Sequence, residues 1–209
     1  MKYTHIIWDF NGTIFDDLIP SIKSTNKMLK ERGIPEFESV DAYRKVFGFP
    51  VRDYYERIGF DFSITSYDEL AIEWVQLYLE NTKNAGLMPG VAEALEDFRQ
   101  MGLRQVVISA CESKMLNSQL KQLGVHHYFD EIVGLDDIHA GGKSALAKEW
   151  KEKNREARAA FVGDTVHDAE VAKIAESDCY LYLGGHQDRE RLKKCGIVFE
   201  SFSEIKNYL

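Results

Sequence analysis

The sequence predicts a doubly wound α/β fold in which a Rossmann-like parallel sheet carries an all-α segment inserted near its start. Three observations support this. Short β-branched or apolar runs recur along the chain, and each ends in a small or acidic polar residue. Their apolarity is continuous rather than alternating, as expected of strands covered on both faces. The stretches between them carry helical spacing, and alternating strand and helix is the pattern of a parallel crossover sheet.

The first run is THIIWDF, residues 4–10. From about Asp17 to Gly86 no strand run follows. That stretch instead holds helical patterns in SIKSTNKMLKERG, SVDAYRKVFG and YDELAIEWVQLYLENTKNAG, punctuated by Gly33, Pro35, Gly48, Pro50 and Gly59. It predicts a helical cap over 17–85, set into a core formed by 1–16 and 86–209, with GLMPG as the return linker. The core resumes with a helix in GVAEALEDFRQMG, where Val91, Leu95 and Phe98 share a face. A strand in RQVVISA and a helix in SKMLNSQLKQLG come next, and Gly102 and Gly124 suit the two helix C-termini. Strands in EIVGLDD, RAAFVGDT and, more weakly, DCYLYLGG complete the sheet.

Composition excludes several classes. With 44% apolar residues over 209 positions, the chain can bury a real core. A net charge of -8 without any long Lys/Arg cluster argues against nucleic acid as a partner. Cys111, Cys179 and Cys195 are odd in number and widely spaced, so they suggest neither a disulfide framework nor a CxxC metal site. The start MKYTHIIWDF is too short in apolar residues for a signal peptide, and no stretch approaches the ~20 residues of a membrane span. A cytoplasmic protein, monomer or homodimer, with no membrane partner, is expected.

In an open parallel sheet, ligands bind beyond the carboxyl ends of the strands, so run-terminating residues should converge. These are Asp9 and Asn11, then Ser109, then Asp164 with Asp168 four residues on, one helical turn away. Grouping Asp9, Asp164 and Asp168 is strongly repulsive without a cation, and oxygen ligands of this kind suit Mg²⁺. Lys143, in HAGGKSALAKEW, offers a positive charge. Its GGKS suggests a phosphate-binding P-loop, but that motif needs glycine where the chain has Asp137, so the reading fails.

DFNGT at 9–13, VVIS ending at Ser109, Lys143, and GDTVHD at 163–168 resemble, in order and spacing, the four motifs of the haloacid dehalogenase superfamily of phosphotransferases. LMPGV and YFDEIVGLDDI are similar to its phosphoglycolate phosphatase-like branch, which carries a helical cap after the first motif. The resemblance implies Asp9 as nucleophile, passing through an aspartyl-phosphate. It implies Mg²⁺ held by Asp9, the backbone carbonyl of Asn11 and Asp164, with Asp168 close by. Ser109 and Lys143 would grip the phosphoryl oxygens, with backbone N–H groups at Gly12 and Ala110, and Thr13 would brace the loop. The implied substrate is a small phosphorylated metabolite.

One position departs from the pattern. The first motif is usually DxDGT, whose second aspartate protonates the leaving group and then activates water. Asn11 stands there, and an amide cannot shuttle a proton at neutral pH. Such help is worth ~10²–10⁴-fold, so turnover would be slowed without being abolished. Three readings stay open for Asn11: a natural residue in an enzyme with a good leaving group or a borrowed acid, a natural residue in a protein that has lost most activity, or an engineered trap. An acyl-phosphate or phosphonate hydrolase would satisfy the first. Phosphonate chemistry would also want a cap lysine such as Lys23, Lys27 or Lys45. A weakly active phosphometabolite sensor would satisfy the second.

Other residues have plainer roles. Asp16 or Asp17 reads as the start of the cap linker rather than as part of the site. Arg44, Lys45 and Arg52 could meet an anionic substrate but also suit solvated helix faces. Tyr54, Tyr55, Trp74 and Tyr78 read as cap core. Cys111 reads as an inert, half-buried thiol and His167 as surface, while His126 and His127 receive no role.

Overall fold

The computed structural model describes residues 2–135 and 142–208. Its centre is strand β1 (His5–Trp8), four residues with every side chain buried. Around it lie β2 (Arg104–Glu112), β3 (Glu131–Leu135), β4 (Ala159–Gly163), β5 (Asp178–Tyr182) and β6 (Ile197–Phe199), in spatial order β3-β2-β1-β4-β5-β6. Every pairing is parallel, and Trp8 sits level with Val107 on one side and Val162 on the other. The continuous apolarity of β1 has its reason here. Ile6 and Trp8 enter one core layer with Leu95, Phe98 and Val107, while Ile7 enters the opposite layer with Val106, Trp150 and Phe161.

Helices α1 (Leu18–Glu31), α2 (Val40–Val46), α3 (Val51–Arg57) and α4 (Tyr67–Asn81) follow β1, with no strand among them. They bury Met28, Leu29, Tyr43, Tyr55 and Leu70 in a cluster of their own. Ser39 and Ser66 accept backbone N–H bonds at the starts of α2 and α4, satisfying donors that a helix leaves free. Gly48 and Pro50 lie between α2 and α3, which starts at Val51. The two crossings into this segment lie side by side, tied by Asp16 N–H to Gly86 O at 3.0 Å and Met88 N–H to Ile14 O at 2.9 Å.

The remaining helices are α5 (Val91–Gln100), α6 (Ser113–Gln122), α7 (Gly142–Lys153), α8 (Val166–Ile174), α9 (Arg189–Leu192) and α10 (Phe202–Ile205). Gly102 and Gly124 adopt φ of 73° and 74° just past α5 and α6, the left-handed turn expected of them. His126 and His127 fall in a single 3₁₀ turn before β3. Asp137 and the DDI portion of the branch motif lie outside the described residues. No described helix is long and apolar enough to cross a membrane.

Two features differ from the sequence expectation. Strand β2 continues to Glu112 rather than stopping at Ala110. Ile108 pairs with Val133 but Glu112 pairs with Leu135, so β2 carries extra residues at 109–111 against its neighbour. Such an irregularity bends a strand and re-aims its side chains, and it falls at Ser109. Strand β6 was not foreseen; with three residues on the sheet edge, it is too short to carry a hydrophobic pattern.

Trp8 is fully buried between Phe98 and Phe202 and donates its Nε1–H to Gln105 Oε1 at 3.1 Å. Trp8→Ala should lower stability by about 3–5 kcal/mol, read as a lower urea midpoint.

Candidate active site

Asp9 is the first residue beyond β1, and its N–H donates to Val162 O at 2.8 Å, so the ladder with β4 fixes its backbone. Asp164 is the first residue beyond β4, in the adjacent strand. Asp168 lies in the first turn of α8. Each of the three is buried, and each offers an oxygen within 4.8 Å of the other two. Lys143, in the first turn of α7, lies 3% exposed and donates to both Asp9 Oδ1 and Asp168 Oδ1, the latter at 2.5 Å. The four groups anticipated from the strand ends and GGKS therefore meet at one point.

Local structure holds the acids in place. Thr165 caps α8 by accepting from Asp168 N–H at 3.2 Å. In return, Asp168 Oδ2 accepts from the N–H groups of Asp164 and Thr165 and from the Thr165 hydroxyl, at 3.1, 2.9 and 2.7 Å. This reciprocal capping box explains the spacing within GDTVHD. Asp164 Oδ2 accepts from His186 N–H at 2.6 Å, and its Oδ1 accepts from the Thr13 hydroxyl at 3.3 Å.

The charges do not balance. Burial drives the Asp9 carboxyl up to about 7 despite the pull of Lys143, and burial likewise drives Asp164 well up. Asp168 is also raised by burial, but Lys143 and its hydrogen-bond donors outweigh this and hold it below the usual range. One lysine among three buried carboxylates leaves room for a further cation, and hard oxygen donors around such a gap fit a divalent metal.

Asn11 belongs to a second cluster. Its Nδ2 donates to Asp17 Oδ2 at 2.9 Å and to the Tyr78 hydroxyl at 2.7 Å, and Tyr78 donates to the same Asp17 oxygen at 2.7 Å. Asp17 Oδ1 accepts from Gly12 N–H at 2.7 Å and pairs with His186 Nε2 at 3.1 Å. Tyr43 of α2 bonds His186 Nδ1 at 2.9 Å. Burial raises Asp17, but His186, Tyr78 and Asn11 bring it below its ordinary value. The His186 imidazole is lowered by burial yet lifted by Asp17 and Asp164, to about 9. Both of its ring nitrogens are engaged, Nε2 by Asp17 and Nδ1 by Tyr43.

This corrects the reading of Asp17 as linker. At 2% exposure it is the buried anchor of the loop after β1. Gly12 is correspondingly committed: its N–H serves Asp17 and Phe15 O rather than the cavity. Its φ is +71°, and a Cβ there would lie 2.4 Å from His186 Cδ2 and 2.5 Å from Asp164 Oδ2. Thr13 is fully buried and braces Asp164. His186 was missed, although it follows β5 in YLGGHQD, where the strand-end rule points to it.

A cavity of about 340 Å³ joins these groups to the helical segment. Asp9, Asn11, Ser109, Ala110, Lys143, Asp164 and Asp168 reach it from the core, and Tyr54, Tyr55, Trp74 and Tyr78 reach it from the helices. The four aromatics thus serve as wall as well as packing. Ser109 is buried, and its Oγ accepts from Cys111 N–H at 3.1 Å. Cys111 lines the same cavity half-buried, its thiol pushed up to about 12 by burial. His167 is partly covered at the rim, its ring 4.9 Å from that of Phe49. Lys23, Lys27 and Lys45 are exposed and do not line it. Arg44 is turned away, donating to the Gly184 and Gly185 carbonyls at 2.6 and 2.8 Å.

Residues 6–181 match the family model of the haloacid dehalogenase-like hydrolases. A phosphoglycolate phosphatase of Aquifex aeolicus is 30% identical over 87% of this chain and 85% of its own length. One of Rhodobacter capsulatus is 25% identical over the same shares. A solved haloacid dehalogenase-like family hydrolase from Streptococcus pneumoniae superposes with a TM-score of 0.77 at 21% identity, covering 99% of this chain and 98% of that one.

Replacing Asn11 by aspartate would set two carboxylates about 2.9 Å apart. Asn11→Asp should lower the melting temperature, Asp17→Asn should lower it too, and the double exchange should recover about 0.5–3 kcal/mol of the summed loss. Additive losses would show that the two side chains are not coupled.

Proposed function

This chain belongs to the haloacid dehalogenase-like hydrolases and is a phosphatase, and we propose that it cleaves small phosphate monoesters through an aspartyl-phosphate on Asp9, with Mg²⁺ as its resident cation. The observation that carries this reading is the meeting of Asp9, Asp164 and Asp168 with Lys143 in one buried cluster that opens on a cavity. Asp9, Asp164, Asp168 and the Asn11 carbonyl would hold the metal. When bound, it neutralises negative charge on the phosphoryl group.

The chain's own residues divide the remaining work. Asp9 attacks phosphorus as the bond to the leaving oxygen breaks, and water then hydrolyses the aspartyl-phosphate. Dividing one displacement into two is the gain of covalent catalysis. Lys143 orients Asp9 and offers its remaining proton to a phosphoryl oxygen. Because the Ser109 oxygen already accepts from Cys111 N–H, its own proton is available to the same group. Ala110 lines the cavity beside it. Positioned donors of this kind carry most of the burden of phosphoryl transfer. Residues 17–85 form the cap, bringing Tyr78 and Tyr43 onto Asn11 and His186.

Asn11 holds Asp17 and Tyr78 in place and passes no proton, so turnover depends on how readily the leaving group departs. Acetyl phosphate, with a good leaving group, is therefore the suitable first substrate. Its hydrolysis should require Mg²⁺ and fall on chelation, and Asp9→Asn should lower it by about 10³-fold or more. Mass spectrometry of the quenched reaction should find phosphate on the peptide containing Asp9. Undiminished activity in Asp9→Asn would remove the nucleophile from this scheme.

A further inference from the structure

The walls of the cavity bear on the part of the substrate beyond the phosphate, and they have two notable properties. Beyond Asp17, the hydroxyls of Ser21 and Thr25 and the tyrosines, the helical segment lines the cavity with apolar surface, chiefly Phe47, Tyr54, Tyr55, Trp74 and Tyr78, with Val75 and Leu79. Trp74 and Tyr78 stack at 4.7 Å between ring centroids, presenting a flat aromatic surface. Phe49, Val75 and Leu79 carry the apolar lining out to solvent, at 43%, 44% and 44% exposure.

The second property concerns charge. Among the described lining residues Lys143 is the one lysine, there is no arginine, and two carboxylates hold that lysine. His186 is paired with Asp17. The segment's own cations are engaged elsewhere or exposed outside. Arg44 serves the Gly184 and Gly185 carbonyls, Arg32 pairs with Glu73 at 2.5 Å, and Arg57 reaches Val46 O at 3.3 Å. Arg52 lies over the Phe62 ring, 4.5 Å from its centroid. A carboxylate on the leaving group would lose its water here without gaining a cation, beside four buried aspartates. An uncharged ring would gain apolar burial and stacking.

We propose that this cavity selects phosphate monoesters of uncharged aromatic alcohols, above all phenols, over esters whose leaving group carries a carboxylate, as phosphoglycolate does. The inference rests on the phosphatase reading above and names its substrate class. Asn11 independently points the same way. A phenolate, whose conjugate acid has a pKa of about 10 like tyrosine, leaves without a donated proton far more readily than an alkoxide. In the step itself Asp9 bonds to phosphorus, the electron pair of the broken P–O bond departs with the phenolate, and solvent supplies the phenol's proton. Water then releases inorganic phosphate from Asp9.

The test compares kcat/KM with Mg²⁺ for phenyl phosphate, 4-carboxyphenyl phosphate and phosphoglycolate, with acetyl phosphate as a substrate too small to need the cavity. Phenyl phosphate should exceed both carboxylated esters by about tenfold or more. Leu79→Arg, which puts a cation at the exposed rim of that lining, should narrow the gap between the two aryl esters. Equal or better use of 4-carboxyphenyl phosphate or phosphoglycolate, with acetyl phosphate hydrolysed, would overturn this inference and leave the phosphatase reading standing. Failure to hydrolyse any ester, acetyl phosphate included, would overturn both.

Discussion

The structure turns on an excess of buried negative charge at the carboxyl end of its two central strands. Asp9 and Asp164 are the first residues beyond β1 and β4, and Asp168 stands one helical turn further on, all within reach of one another. Carboxylates in such a place are costly unless paired. Lys143, brought in by α7, is the direct compensation, and the Thr165 cap with its neighbouring N–H groups supplies hydrogen bonds to Asp168. The remaining imbalance leaves three buried carboxylates grouped around a single lysine. A centre so close to its electrostatic limit is sensitive to every further charge placed near it.

That sensitivity gives Asn11 a physical explanation. An aspartate at position 11 would add a carboxylate against Asp17, which already lies buried beside it. The amide supplies two donors instead, to Asp17 and Tyr78, and keeps the loop after β1 closed. The acidic group of this neighbourhood sits at position 17, compensated by His186, rather than at 11. Asn11 is thus integrated into its surroundings through both of these bonds.

The helical segment and the core share a set of contacts that define the chamber. Tyr43 reaches His186, Tyr78 reaches Asn11 and Asp17, and Arg44 and Arg191 satisfy carbonyls across the junction, the latter bonding Phe47 O at 2.5 Å. By engaging Arg44 in this junction, the fold removes a cation from the cavity. The wall that remains is largely aromatic.

Much of this was legible in the residues themselves. Continuous apolar runs announced a parallel sheet because both faces of β1 are covered, and the acids ending those runs meet because strand ends converge on one side of such a sheet. The missed features share one cause. Strand β6 is too short for periodicity, the extra residues at 109–111 depend on pairing with β3, and Asp17 and His186, 169 positions apart, gain meaning only through contact. Local sequence determined which residues could carry the chemistry, since motif spacing follows from strand ends and helix caps. Tertiary structure alone decided which charges would be buried together and which cations would be turned away, because both depend on partners that no local pattern identifies.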